Sequence, residues 1–336
     1  MQITAIIHDP EHNLLRLLTA GDLEGWSPGV SAPVAQTIFD LFEPILVGGS
    51  VWEREQLRQR CREAGRLAGL TPASLASVDV ALWDLFAKAQ NLPLFRAIGG
   101  FRDRLPAVRQ GKRQASARDH IEAAVAARDA GLFGYCLCAT HEADLVDALP
   151  DLRAAVGDRF RLLYDGGQQF ELEQALAVGR ALEQIDGHWF AEPLGDGDVS
   201  GLQKLADALT IPVVAGAFMG DSIQAATRAL TSRAVDRVRV TIPLNIGITG
   251  ALKLARGAEA LQMNCEIDWA RSAGPYAAAH LLGAVRNAEF YTADGTFDGA
   301  DGFQPLSVID GELLLPQEPG LGLQLIDPTH LTQSTS

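Results

Sequence analysis

Lysine is scarce in this chain: Lys88, Lys112, Lys204 and Lys253 stand against 24 arginines. Basic residues as a class are outnumbered 28 to 42, leaving a formal net charge of −14 at pH 7. That balance excludes the electrostatic footprint of a nucleic-acid binder or of a protein resting on an anionic membrane. Cysteine is equally sparse, with four in 336 residues, too few for a disulfide framework. Cys136 and Cys138 are two apart and on a strand share one face, unlike a C-x-x-C metal pair. They read as small core fillers. No run of 18 uncharged apolar residues occurs, and Met1–Asp9 carries no basic stretch followed by an apolar one. No G-x-G-x-x-G follows the first strand and no G-x-x-x-x-G-K-[ST] occurs, which removes the usual nucleotide-binding open sheets. The expectation is a soluble cytoplasmic protein with no nucleic-acid and no membrane partner.

What is present is a period. Short apolar or β-branched runs begin near Leu105, Gly134, Arg161, His188, Ile211, Arg237, Asn264 and Glu289, spaced 29, 27, 27, 23, 26, 27 and 25 residues apart. Between them lie stretches of helical periodicity such as Ala117–Ala130, Glu171–Glu183, Ser222–Ser232 and Thr249–Gln262. Strand then helix, repeated through eight strands, predicts parallel βαβ units closing into a barrel. The first hundred residues read differently. Ile3–His8 and Leu14–Leu18 predict a hairpin, Gly21–Pro33 a turn-rich stretch, and Val34–Leu46, Val51–Ala68 and Pro72–Lys88 three helices. The last of these is apolar almost all round and is expected to be buried against the barrel. Leu306–Ile326 has strand character and is expected to return to the N-terminal part.

Three segments resemble the enolase superfamily, in its mandelate racemase and muconate-lactonising branch. Ser77–Gly100 matches the branch's S-x-D-x-A-L-W-D helix with its P-L and G-G sequel. Gly247-Ile-Thr-Gly-Ala-Leu-Lys-Leu-Ala255 matches G-I-T-x-A-x-K-x-A, and Asp310–Gly322 matches the C-terminal D-G…P-G-L-G return. The resemblance implies an α/β fold: a modified (β/α)7β TIM-like barrel (105–304) with an α+β capping domain (1–104) joined by the C-terminal return (305–330). It also implies a homo-oligomer, dimer or octamer. The family abstracts a proton next to a carboxylate and stabilises the product enediolate on Mg²⁺. It uses three carboxylate ligands, with lysines or an Asp/His dyad as bases.

Carried over position by position, the resemblance thins out. Leu163-Tyr-Asp165-Gly-Gly-Gln168 aligns with D-A-N-Q, putting Asp165 at the first metal-ligand position. Trp189-Phe-Ala-Glu-Pro193 aligns with W-x-E-E-P, putting Ala191 at the second and Glu192 on the other face of the strand. Pro212–Ala217 aligns with P-x-x-x-G-E, putting Ala217 at the third. The K-x-K pair of strand two becomes Ala139 and His141, the acidic position of strand six becomes Thr241, and Glu266-Ile-Asp268-Trp269 holds no His for strand seven. A positioned acid or base contributes roughly 10²–10⁴-fold, so these departures remove most of the ordinary machinery.

The candidate site therefore consists of His141 and Asp268 as catalytic residues, with Lys112, Arg109, Asn245 and Gln168 as substrate-binding residues. Arg239 is expected inside the barrel, where an unpaired charge is costly, and to pair with Asp165. No cofactor is expected, and Mg²⁺ only if a site is rebuilt around Asp165. The expected partner is a small carboxylic or sugar acid, bound at the C-terminal mouth of the barrel by a divergent isomerase or lyase. The alternatives are a non-catalytic ligand-binding or regulatory member and a racemase or dehydratase with a rebuilt metal site. His8, His12, His120, His188, His280 and His330 are read as structural.

Overall fold

Eight parallel strands carry the period read from the sequence. A computed structural model describes residues 1–69, 72–113, 116–138, 143–195, 197–216, 223–242, 247–268, 274–294 and 302–327. Three strands precede the barrel: β1 (Ile3–Asp9), β2 (Leu14–Thr19) and β3 (Glu24–Ser27). The barrel strands are β4 (Arg104–Gln110), β5 (Gly134–Cys138), β6 (Arg161–Asp165), β7 (Trp189–Ala191), β8 (Val213–Ala215), β9 (Arg237–Thr241), β10 (Asn264–Asp268) and β11 (Tyr291–Asp294). Each begins within two residues of its expected start. Neighbours pair in parallel from β4 through β10, and β11 pairs with β4. Helical segments occupy all seven crossovers, as a (β/α)7β barrel requires. No helix among the described residues is long and apolar enough to cross a membrane.

Strand alternation sorts the barrel into two layers. Tyr135, Leu137, Leu162 and Tyr164 face outward into the helix-covered core. Val108, Cys136, Leu163, Trp189, Ala191 and Val214 meet Phe290 in a separate apolar cluster inside. That inner cluster takes no residue from β9 or β10. Their outward positions, Val238, Val240, Cys265 and Ile267, are core residues, while their alternate positions are Arg237, Arg239, Glu266 and Asp268. One side of the interior is thus apolar and the other ionic.

The cap is a three-stranded antiparallel sheet, β1-β2-β3, with helices against it. Helix Pro72–Ala89 is buried nearly all round because it serves two cores. Val78, Ala81, Leu82 and Leu85 pack into the cap, and Val80, Trp83 and Ala87 into the barrel. Its two buried acids tie it to other elements. Asp79 accepts hydrogen bonds from Thr249 on the barrel helix Gly247–Ala260. Asp84 accepts from Trp26 N at 2.8 Å and Leu321 N at 2.7 Å, joining β3 and the C-terminal return.

Two expectations need correcting. The stretch read as turns contains β3, whose Leu15–Ser27 and Leu17–Gly25 register completes the cap sheet. The helix expected over Val34–Leu46 is two, Ala32–Leu41 and Glu43–Leu46, since Pro44 lacks the N–H that would continue the first. The return does reach the N-terminal part, as expected, with Leu321 N on Asp84 and Leu94 N on Gly320 O, and it also adds to the barrel. Its strands β12 (Ser307–Ile309) and β13 (Glu312–Leu314) form a hairpin, and β13 pairs antiparallel with Arg104–Pro106 of barrel strand β4.

Candidate active site

The strand ends open into a cavity of about 670 Å³. Catalytic and binding groups of such barrels gather at this face because the strand-to-helix loops converge there. β9 reads Arg-Val-Arg-Val-Thr, and its register with β10 sets Arg239 beside Glu266 and Thr241 beside Asp268. Arg239 and Asp268 line the cavity together with Asp165 from the end of β6. Across the barrel, Arg239 Nη1 donates to Asp165 Oδ2 at 2.8 Å, the pairing expected from the sequence. The other oxygen, Oδ1, accepts from Gly167 N at 2.8 Å. The Arg239 guanidinium also lies 5.5 Å from the centre of the Trp189 ring. Burial alone would loosen its proton, but the carboxylates of Asp165, Asp268 and Glu192 outweigh that and hold it well above its usual value. Gly216 makes this arrangement possible: a Cβ there would stand 1.8 Å from the Arg239 carbonyl oxygen.

Below this layer lies a second ionic network. Arg237 Nη1 donates to Glu266 Oε1 and to Glu289 Oε2, both at 3.0 Å. His188 Nε2 is 2.9 Å from Glu289 Oε2, and Asn264 Nδ2 donates to Glu289 Oε1 at 3.0 Å. The His188 contact, with help from Arg237, outweighs burial and holds the Glu289 carboxyl down at about 2. Burial pushes Glu266 the other way, above the usual carboxylate range, against the pull of Arg237. Charges taken out of water cost several kcal/mol each unless paired, which is why these occur as a network.

At the rim, Lys112 and Arg113 follow the end of β4 and line the same cavity. Among the described residues neither has an ion-pair partner. Arg113 lies across the loop after β6, with Nη1 2.4 Å from where a Gly167 Cβ would be. Cys138 also lines the cavity, and Gln110 Nε2 donates to its Sγ at 2.7 Å. Burial drives the Cys136 thiol well above its ordinary value, which leaves it inert as a nucleophile.

The structure brings Lys112, Asp165 and Asp268 to one cavity. It does not bring Arg109 there: β4 turns Val108 and Gln110 inward, and Arg109 is in register with the outward-facing Tyr135. Gln168 stands beyond β6 with φ +64°, its N–H bonded to Glu192 O at 2.7 Å, and is not part of the lining. His141, Asn245, Ala139 and Ala217 lie outside the described residues. Ala191 faces the apolar interior cluster. Glu192 does not follow the strand alternation assumed for it. Its φ is +43°, and its Oε1 accepts from Gly216 N at 2.8 Å while its charge acts on Arg239. Arg113, Gln110 and Trp189 were not singled out from the sequence. Strand parity on β4 points to Gln110, but nothing local points to Arg113. Of the histidines read as structural, His280 accepts from Phe95 N through Nδ1, and burial keeps it neutral down to about 4.

Residues 3–99 match the mandelate racemase / muconate lactonizing enzyme N-terminal domain, and residues 120–328 match the enolase C-terminal domain-like family. The chain is 30% identical over 191 residues to the L-talarate/galactarate dehydratase of Salmonella typhimurium. That match takes in 56% of this chain and 48% of the relative, so the chain spans about half the relative's length. It superposes on D-glucarate dehydratase from Agrobacterium tumefaciens, crystallised with magnesium, with a TM-score of 0.84 and 28% identity over 96% of this chain and 94% of that one. A racemase from Streptomyces coelicolor with bound magnesium shares the fold, with a TM-score of 0.82 and 21% identity over 97% and 94%.

Magnesium is bound in both of those structures, which overturns the expectation of no cofactor for this chain. The residues of this chain fit that ion poorly. Mg²⁺ demands near-octahedral oxygen ligation, whereas Ala191 offers no ligand and Asp165 spends one oxygen on Arg239 and the other on Gly167 N. No three His, Cys, Asp or Glu side chains among the described residues are grouped to hold a metal. The two family matches together take in nearly the whole length, and the cap-on-barrel architecture agrees with them: the chain belongs to the mandelate racemase and muconate-lactonising branch of the enolase superfamily.

Proposed function

We propose that the barrel mouth binds a small carboxylic acid, a sugar acid foremost, and that the protein acts on it as an isomerase or lyase. The observation that carries this reading is one cavity at the strand ends lined by the Arg239–Asp165 pair, by Asp268, and by the rim cations Lys112 and Arg113. In it, Lys112 and the arginines meet the acid's charge, Asp165 accepts from a hydroxyl group, and Asp268 accepts or returns a proton. His141 is the second proton-transferring group of the proposal. The sugar-acid dehydratases among the relatives support the choice of ligand class.

A second reading is a ligand-binding member without turnover. It is favoured by the loss of all but one family ligand position and by Ala139 in place of a lysine base.

Titration calorimetry with D-glucarate and galactarate, using D-glucitol as the uncharged control, tests binding; proton NMR in D₂O tests turnover. Both acids are expected to bind and D-glucitol not, with affinity falling about tenfold in Lys112→Ala. Exchange of the proton next to the carboxylate, or a new product, is expected in the wild type, reduced roughly 10²-fold or more in Asp268→Asn. Failure of every acid to bind sinks both readings. Binding with neither exchange nor product leaves the second.

A further inference from the structure

Two guanidinium groups converge on one four-residue segment of the mouth, Asp165–Gln168. Arg239 reaches it from inside the barrel through Asp165 Oδ2. Arg113 reaches it from the rim, resting against Gly167 so closely that a Cβ there would lie 2.4 Å from Nη1 and 3.2 Å from Cζ. Gly167 has φ +57°, and its own N–H is engaged by Asp165 Oδ1, so the segment is a fixed surface for Arg113. A guanidinium carries five N–H donors in a planar fork. Among the described residues, Arg239 makes one hydrogen bond, to Asp165, and Arg113 has no ion-pair partner. Both arginines line the same cavity.

We propose that Arg113 and Arg239 form a clamp for the carboxylate of the ligand, and that Gly167 is the specificity-determining residue that admits Arg113 to it. The inference rests on the acid-binding function proposed above and names the subsite. Planar forks match a carboxylate with paired, charge-assisted hydrogen bonds, and two of them lining one cavity select an acid over its alcohol. Arg239 is already oriented by Asp165, whereas a Cβ at position 167 would displace the Arg113 guanidinium from where it rests.

A double-mutant cycle on the intact chain tests this, with D-glucarate as probe and D-glucitol as control. Arg113→Gln, at an exposed position, and Gly167→Ala are each expected to weaken D-glucarate binding at least tenfold. The loss caused by Gly167→Ala is expected to be smaller in the Arg113→Gln background than in wild type, because the methyl group acts through the guanidinium. Thermal melts show whether Gly167→Ala has also strained the loop, an effect common to both backgrounds that cancels from the cycle. If D-glucarate binds wild type and Arg113→Gln equally, or the two losses add, the clamp is wrong while the acid-binding function stands. If wild type binds neither D-glucarate nor galactarate, the acid-binding function falls and the clamp with it.

Discussion

Asp79 of the cap and Thr249 of the barrel are joined twice: Thr249 N donates to Oδ2 at 2.8 Å and Thr249 Oγ1 to Oδ1 at 2.6 Å. Trp83 Nε1 donates to the same hydroxyl at 2.9 Å, and Arg58 Nε lies 3.1 Å from Asp79 Oδ1. The carboxylate is fully buried. Removing it takes an ion-pair partner from Arg58 and the acceptor from the first turn of a barrel helix. Asp79→Ala is therefore expected to cost about 3–5 kcal/mol, and Thr249→Val about 1–2 kcal/mol. Denaturant midpoints check both. Equal small losses would show that the junction is held by apolar packing alone.

Glu289 predicts a pH dependence. Its carboxyl is held at about 2, below an ordinary value of 4.5, mainly by His188 and then Arg237. A depressed carboxyl stabilises the folded state fully above its unfolded value and loses that contribution as pH falls through the folded one. The melting temperature of wild type should exceed that of Glu289→Gln at pH 7, and the gap should close between pH 4.5 and pH 2. Glu266, shifted upward by burial, acts in the opposite sense. Comparing wild type with the Glu289 variant at each pH isolates the one group. A gap independent of pH would mean that Glu289 contributes by packing rather than charge.

Arg239 and any cation in the mouth compete for Asp165 Oδ2. Arg239→Ala removes the competitor and its positive field, so chelator-treated Arg239→Ala protein is expected to bind Mg²⁺ severalfold more tightly than wild type. Calorimetry reads the difference, and Asp165→Ala in the same background should abolish the gain. Equal affinities in wild type and Arg239→Ala would show that the ion, where it binds, does not use Asp165.

The barrel was legible because its signal is long-range and repeated. Eight runs about 26 residues apart leave little choice of register, and even the short β7 and β8 fell within two residues of their expected starts. β3 was not legible, since its four residues include Gly25 and follow a turn, and only pairing with β2 makes them a strand. At the site, alternation along β9 put Arg239 inside and the cost of a lone buried charge gave it Asp165 as partner. The same rule failed for Glu192, because alternation assumes extended backbone and φ there is +43°. Arg109 was singled out by residue type, but its parity on β4 turns it away from the cavity. Arg113 depends on the conformation of a glycine 54 positions later, which nothing in its own neighbourhood records.

The C-terminal hairpin has a consequence for how the molecule comes into being. Arg104 Nη1 donates to Glu312 Oε2 between β4 and β13, although the two stand 208 positions apart. The backbone groups at the start of the first barrel strand thus wait for a segment made after all the other barrel strands. Contacts of such separation form late and slow the folding reaction, and a strand kept waiting is open to mispairing with another chain. A ribosome-bound chain ending near residue 300 would carry all eight barrel strands and still leave the start of β4 without β13. Arrival of Glu312–Leu314 is then the event that ends the vulnerable interval, and refolding should be slow and sensitive to protein concentration until that hairpin docks.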